Sequence, residues 1–275
     1  MYKNNYYCLI AGLPDLIADD NKVPFLIADF KEELLLYLSK RDLALVNLFF
    51  LSEDNKTLLS LIEKNEPKES TIANFTVSFI EEQLKEPITL PPYMIEFINN
   101  HFEEKNLHNL SNENELTWLF YDFLLKSNNQ FVRDWFTFEM NLRNLTTALN
   151  CRKYDRDIQK EIIGSNDFAM ALRTSKLKDF GLSGDFPVVE RVMSFFDNAG
   201  LVEKEKQLDL LRWDYLEEKI TFEYFSIDRI LSYLIKLLLV DRWSKLDTES
   251  GKEVFNSLIT RLKESFEFSE EFKLN

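Results

Sequence analysis

The chain carries six glycines in 275 residues, and only Gly12 precedes Gly164. Glycine is the residue that tolerates positive φ and lets backbone approach a phosphate closely. Without it, neither GxGxxG nor GxxxxGK[ST] can be written, and neither occurs. A doubly wound nucleotide-binding fold is therefore excluded as the expected architecture. The charge balance removes a second class. With 33 basic against 47 acidic residues the net charge is −14, whereas nucleic-acid affinity comes largely from Lys and Arg neutralising phosphates. Twenty-four phenylalanines and a 45% hydrophobic content nevertheless allow a sizeable core.

Most of the sequence has helical periodicity. In Ser111 to Lys126, residues Leu116, Leu119, Phe120, Phe123 and Leu124 fall on one face, with Ser111 placed to cap and Glu113 and Glu115 in the first turn. Val254, Phe255, Leu258, Ile259 and Leu262 repeat the pattern after Thr248 and Ser250. Further helices are expected at Phe30–Leu38, Arg41–Leu51, Asp54–Lys64, Pro92–Lys105, Asn129–Asn150, Pro187–Asp197, Leu201–Lys219 and Phe222–Val240. Pro91-Pro92 marks a helix start. Tyr6 to Leu13 is a strand or a buried helical turn; periodicity does not choose. Glu63–Ser70 and Gly181–Pro187 read as connections.

A faint period of 86 residues relates Phe50, Phe136 and Phe222, then Leu59, Leu145 and Leu231, then Ser60, Thr146 and Ser232. Glu53 and Asn55 return as Glu139 and Asn141, but the third copy has Phe225 and Ile227. A fixed period of this kind points to repeated helical units sharing a core. The expected fold is all-α, with units at 1–90, 91–180 and 181–275.

No catalytic constellation emerges. His101, Glu104 and His108 could share a helix face, yet a carboxylate-bridged metal site wants two Glu-x-x-His pairs, so they read better as solvent-facing polar residues. Gly181-Leu182-Ser183-Gly184 lacks nucleophile-elbow spacing. Cys8 and Cys151 read as small buried hydrophobes. The pairs Glu32-Glu33, Glu81-Glu82 and Glu217-Glu218 read as solvated faces, and Trp118, Trp135, Trp213 and Trp243 as core. Arg242 is placed to cap a helix C-terminus. The acidic stretch Glu264–Glu271 reads as packing Phe266 and Phe268 at a helix end, with partner binding as the alternative. No catalytic residue, cofactor or metal is expected.

The run Ile230–Val240 contains Lys236 and is about half the ~20 residues of a membrane span. Cys8–Leu13 is too short for a signal-peptide core. The two cysteines form no disulfide framework. A soluble, cytoplasmic protein is expected.

The helix through Phe136-Thr-Phe-Glu-Met-Asn-Leu-Arg-Asn-Leu145 resembles the motif-bearing helices of the C/d family of A/V-type rotary ATPase stalk proteins, named C in the A-type complexes and d in eukaryotes. That family repeats an acidic-x-Asp-x-x-Asn-Leu pattern. Glu139, Asn141, Asn144 and Leu145 occupy it here, with Asn141 in place of the Asp, and Glu53, Asn55 and Leu59 repeat it with Leu58 replacing the second Asn. The opening Tyr6-Tyr-Cys-Leu-Ile-Ala-Gly-Leu-Pro-Asp-Leu16 is similar to the start of a divergent bacterial branch labelled as of unknown function. The resemblance implies a funnel of three helical subdomains and a non-catalytic role in the central stalk. Such a protein couples the central shaft to the membrane rotor ring during ion transport, at the cytoplasmic face of the membrane. Glu139, Asn141 and Arg143 are the candidate partner-binding residues, with bracing of the repeat as their alternative role. The alternative function is a helical-repeat scaffold unrelated to rotary motors; a helical enzyme built on buried carboxylates ranks behind both.

Overall fold

The computed structural model describes residues 5–18, 23–105, 108–184, 186–197 and 199–245. The expected helix through Val254–Leu262 and the stretch Glu264–Glu271 lie outside them. Among the described residues the chain is all-helical, with no strand. In chain order the helices are α1 (Tyr7–Gly12), α2 (Ile27–Tyr37), α3 (Lys40–Leu48), α4 (Leu51–Ile62), α5 (Val77–Gln83) and α6 (Pro92–Phe102). They continue with α7 (Asn112–Leu125), α8 (Gln130–Tyr154), α9 (Asp167–Thr174), α10 (Pro187–Phe196), α11 (Leu201–Ile220) and α12 (Ile227–Lys245), with a 3₁₀ turn at Ile158–Lys160. Tyr6–Leu13 resolves as helix. No helix among the described residues is long and apolar enough to cross a membrane.

Local chemistry sets the ends. Ser111 accepts from the Asn114 N–H at the start of α7, Asn129 from Val132 at α8, and Asn166 from Ala169 at α9. Pro92 and Pro187 occupy first-turn positions of α6 and α10, where a missing N–H costs nothing. Asp155 ends α8 in the left-handed region at φ 52°, a conformation Asp tolerates better than most residues. Phe180 and Gly181 follow one another at φ 59° and 73°, which makes the connection before α10 a turn.

Helices α6, α7 and α8 pack in succession, α9 lies on α8, and α10, α11 and α12 pack in turn, with α12 also touching α2. The largest hydrophobic cluster joins Phe30, Leu34 and Leu58 to Phe97, Leu124 and Phe136, and further to Leu216, Leu231 and Leu237. It thus draws residues from each of the spans 1–90, 91–180 and 181–275. A second cluster gathers Leu142, Leu145, Phe168, Val189, Val192 and Leu211. Helix α8 belongs to both, through Phe131 to Phe136 on one side and Leu142 to Ala148 on the other. A Leu or Phe buried this completely contributes ~1.5–3 kcal/mol, so α8 is the element on which the two halves of the core depend.

The residues in 86-residue register occupy different settings. Phe50 is buried at the start of α4, Phe136 is buried inside α8, and Phe222 is 84% exposed in the turn before α12. Leu145 and Leu231 are fully buried, Leu59 only partly. Three other expectations are corrected. Cys8 is exposed, because α1 turns that side to solvent, while Cys151 is buried. Trp135 is buried, whereas Trp118, Trp213 and Trp243 are half-buried. Their rings cover polar partners at the core's margin. α6 ends at Phe102 and Glu104 is left-handed, so His101, Glu104 and His108 share no helix face. His108 instead meets Glu115 at 2.9 Å and stacks on Trp118 at 4.1 Å.

Candidate interaction surface

The polar residues Glu139, Asn141, Arg143 and Asn144 of α8 are engaged within the chain. Arg212 of α11 holds Glu139 through two guanidinium nitrogens at 2.7 and 3.3 Å and donates to Asp209 at 2.9 Å. Asp209 in turn accepts from Trp243 Nε1 at 2.7 Å and from Arg242. Arg242 thus pairs with α11 rather than capping α12, because α12 packs against α11. Desolvation opposes the Arg212 charge, but Glu139 and Asp209 more than compensate and raise its pKa. The result is a charged seam that fastens α8, α11 and α12.

Asn144 is wholly buried and imitates a backbone group. Its amide donates to the Ile163 carbonyl at 2.8 Å and its carbonyl accepts the Ile163 N–H at 3.1 Å. Asn141 accepts from Asn166 at 3.0 Å, and Arg143 donates to Asn114 at 2.6 Å. Arg173 closes the same loop through the Ile162 and Gly164 carbonyls. The resembling stretch of α8 is therefore a clamp. It fixes α7, α11 and the segment 158–166 around one helix. Near α4, the fully buried Asp54 accepts from the Asn74 and Phe75 amides at 2.9 and 3.0 Å and from the Asn74 side chain. Burial raises its pKa, and those hydrogen bonds and Lys31 oppose the rise.

Four tyrosine hydroxyls, at Tyr93, Tyr121, Tyr215 and Tyr233, have pKa values raised by desolvation first and nearby carboxylates second, to about 12 at Tyr233. A raised folded-state value means stability complete below the ordinary value near 10 and lost as pH rises through the folded one. Ultraviolet titration at about pH 11 should therefore leave a fraction of the ten tyrosines protonated until urea is added. Each Tyr→Phe change at these four positions should shrink that fraction.

Where α8 faces inward, the surface beside α1 does not. Tyr6 is buried: its N–H donates to the Phe225 carbonyl at 2.9 Å, and its hydroxyl to Asp42 of α3. With α1 thus tied to α3 and to the turn before α12, Tyr7 projects outward and packs its ring 4.3 Å from Phe225. Tyr7, Cys8, Tyr37 and Ser39 line a depression of about 490 Å³. Leu36 is 83% exposed next to Tyr37, and Phe222 and Tyr224 stand out beside Phe225. These exposed apolar side chains form one aromatic outer face, a candidate interaction surface. Sequence reasoning set Phe222 at the start of a helix and in register with Phe50 and Phe136, and so missed this face; the signal was the density of aromatics in Thr221-Phe-Glu-Tyr-Phe225, which no helical face could absorb.

Among the described residues, no group of three or more His, Cys, Asp or Glu is placed to hold a metal ion. What this geometry defines is a helical protein with a braced interior and an aromatic outer face. The chain belongs to the family described as "Protein of unknown function (DUF2764)", which it matches over residues 3–266. A protein of Chlamydia muridarum (strain MoPn / Nigg), described as an uncharacterized protein, is 24% identical over 158 residues, 56% of this chain and 59% of that protein. The shared region thus spans well under two thirds of that relative. No solved structure matches.

Proposed function

We propose that the chain is a non-catalytic central-stalk component of an A/V-type rotary ATPase, joining the rotating shaft to the membrane rotor ring at the cytoplasmic face. The observation that carries this reading is α8. Its Glu139-x-Asn141-x-x-Asn144-Leu145 stretch resembles the family's motif, and it clamps the segment 158–166 and α11 onto the helix shared by both hydrophobic clusters. A stalk that transmits torque must resist bending, and close-packed interiors deform little. In this reading Glu139, Asn141 and Arg143 serve the partner indirectly, by holding α8 in place. The aromatic face around Tyr7, Tyr37 and Phe225 supplies direct contact, and three helical units arranged as a funnel surround the shaft foot.

Affinity capture of the tagged full chain at its native expression level tests the proposal. Shaft and ring proteins should be recovered with it, and Tyr7→Ser with Phe222→Ser should reduce recovery about tenfold while leaving thermal stability near wild type, as expected for exposed positions. Capture that repeatedly returns other proteins and no rotary ATPase component would replace the proposal with the scaffold reading.

A further inference from the structure

A second feature lies apart from the aromatic face. Arg229, Ser232, Tyr233 and Lys236 follow one another at i, i+3, i+4 and i+7 on α12, which places them on one side of the helix. All four line a cavity of about 160 Å³ closed by the segment Ile10–Leu16 and by α11. Ser232 is fully buried, and neither its Oγ nor the Tyr233 hydroxyl has a hydrogen-bond partner. Buried hydroxyls without partners are uncommon in folded proteins and call for an occupant.

The charges say which kind. Lys236 is 6% exposed, yet its counterion Glu217 has a side chain 56% exposed, so a buried cation is matched by a largely solvated anion. Arg229 makes no ion pair among the described residues, and Asp15 is the other acid lining the cavity. The two cations and two hydroxyls offer more donors than the two carboxylates accept. Desolvation lowers the Lys236 pKa, and Arg229 adds to that effect against the pull of Glu217. The volume is that of about five waters in the liquid, enough for a tetrahedral oxyanion with its five heavy atoms.

We propose that this cavity is a binding site for a phosphate-type oxyanion, held by Arg229, Ser232, Tyr233 and Lys236. The bound ion would pin the segment Ile10–Leu16 to the α11–α12 pair, joining the chain's start to its last described helices. The inference does not rest on the rotary-stalk reading.

Titration with inorganic phosphate, against chloride at equal ionic strength, tests it on the full chain. Saturable binding is expected, with a Tm rise of about 2–4 °C near tenfold excess over Kd and slower amide exchange in Ile10–Leu16. Arg229→Gln, an exposed position, and Ser232→Ala, which removes an unpartnered hydroxyl, should fold normally and weaken binding, the first by about tenfold. Asp15→Asn should tighten it by removing a negative wall. A short phosphomonoester run beside the free ion separates a closed site, which favours the ion, from one whose substituent leaves past Arg229. A wild-type response no larger than with chloride, or an Arg229→Gln protein that binds as wild type, overturns the proposal. So does an Asp15→Asn protein that loses binding, because that outcome marks a cationic or zwitterionic ligand.

Discussion

Replacing Arg212 with Met should cost ~3 kcal/mol of folding stability, the loss expected when one partner of a largely buried ion cluster is removed. Glu139 would keep its place on α8 with no cation against it, and Asp209 would retain only Arg242 and Trp243. At this chain length the change corresponds to a fall in Tm of roughly 6–12 °C. Arg212→Lys should recover little, because an ammonium cannot reproduce the two-pronged contact with Glu139. The double variant Arg212→Met, Glu139→Gln should be more stable than Arg212→Met alone, since the stranded charge is gone. A double variant no better than the single one would mean that α8 and α11 are held by packing and not by this seam.

Asn144→Ala should be nearly as damaging by a different route. It leaves the N–H and C=O of Ile163, itself fully buried, without partners, at about 1–3 kcal/mol for each group. Urea unfolding would read a total loss of ~3 kcal/mol, and amide exchange would show where it falls. The Ile163 amide and its neighbours in 158–166 should lose protection before the α6–α7 region does. Uniformly raised exchange across the chain would assign Asn144 to global stability only. Asn144→Asp should be worse than Ala, because it keeps the acceptor but removes the donor and buries a charge.

These two residues also show how far the sequence could be read. The class of the fold was legible because helical periodicity is a local property of the chain: α7, α8, α10 and α11 begin within a residue of where Ser111, Asn129, Pro187 and Leu201 put them. Asn144 could be singled out as part of a pattern, yet its role depended on Ile163 across a turn, and no local signal encodes that distance. Arg212 was silent in the sequence, one of four basic residues in a charged helix, and became visible only when α11 was laid on α8. The short helices α5 and α9 were missed because seven and eight residues carry barely two turns of periodicity. Phe222 shows the opposite failure. Its hydrophobicity and its register with Phe50 and Phe136 argued for the core, but it sits where Thr221 to Ser226 must turn the chain, and there it is exposed.

The aromatic face and the clamp around α8 belong together in the proposed role. A coupling element needs a surface that adheres to a partner and an interior that does not yield when the partner turns. The aromatics at Tyr7, Tyr37 and Phe225 meet the first need, and the Glu139–Arg212–Asp209 seam with Asn144 meets the second. The oxyanion cavity lies beneath the same N-terminal segment that carries Tyr7, so its occupancy should steady the aromatic face without forming part of it.

The most direct measurement is ATP-driven ion transport by the rotary complex in membranes from cells lacking this chain, with the full chain added back. The proposed function predicts that without the chain ATP hydrolysis persists while transport is lost, and that adding the chain restores transport in step with its incorporation into the complex. An intact complex that couples hydrolysis to transport without this chain would contradict it.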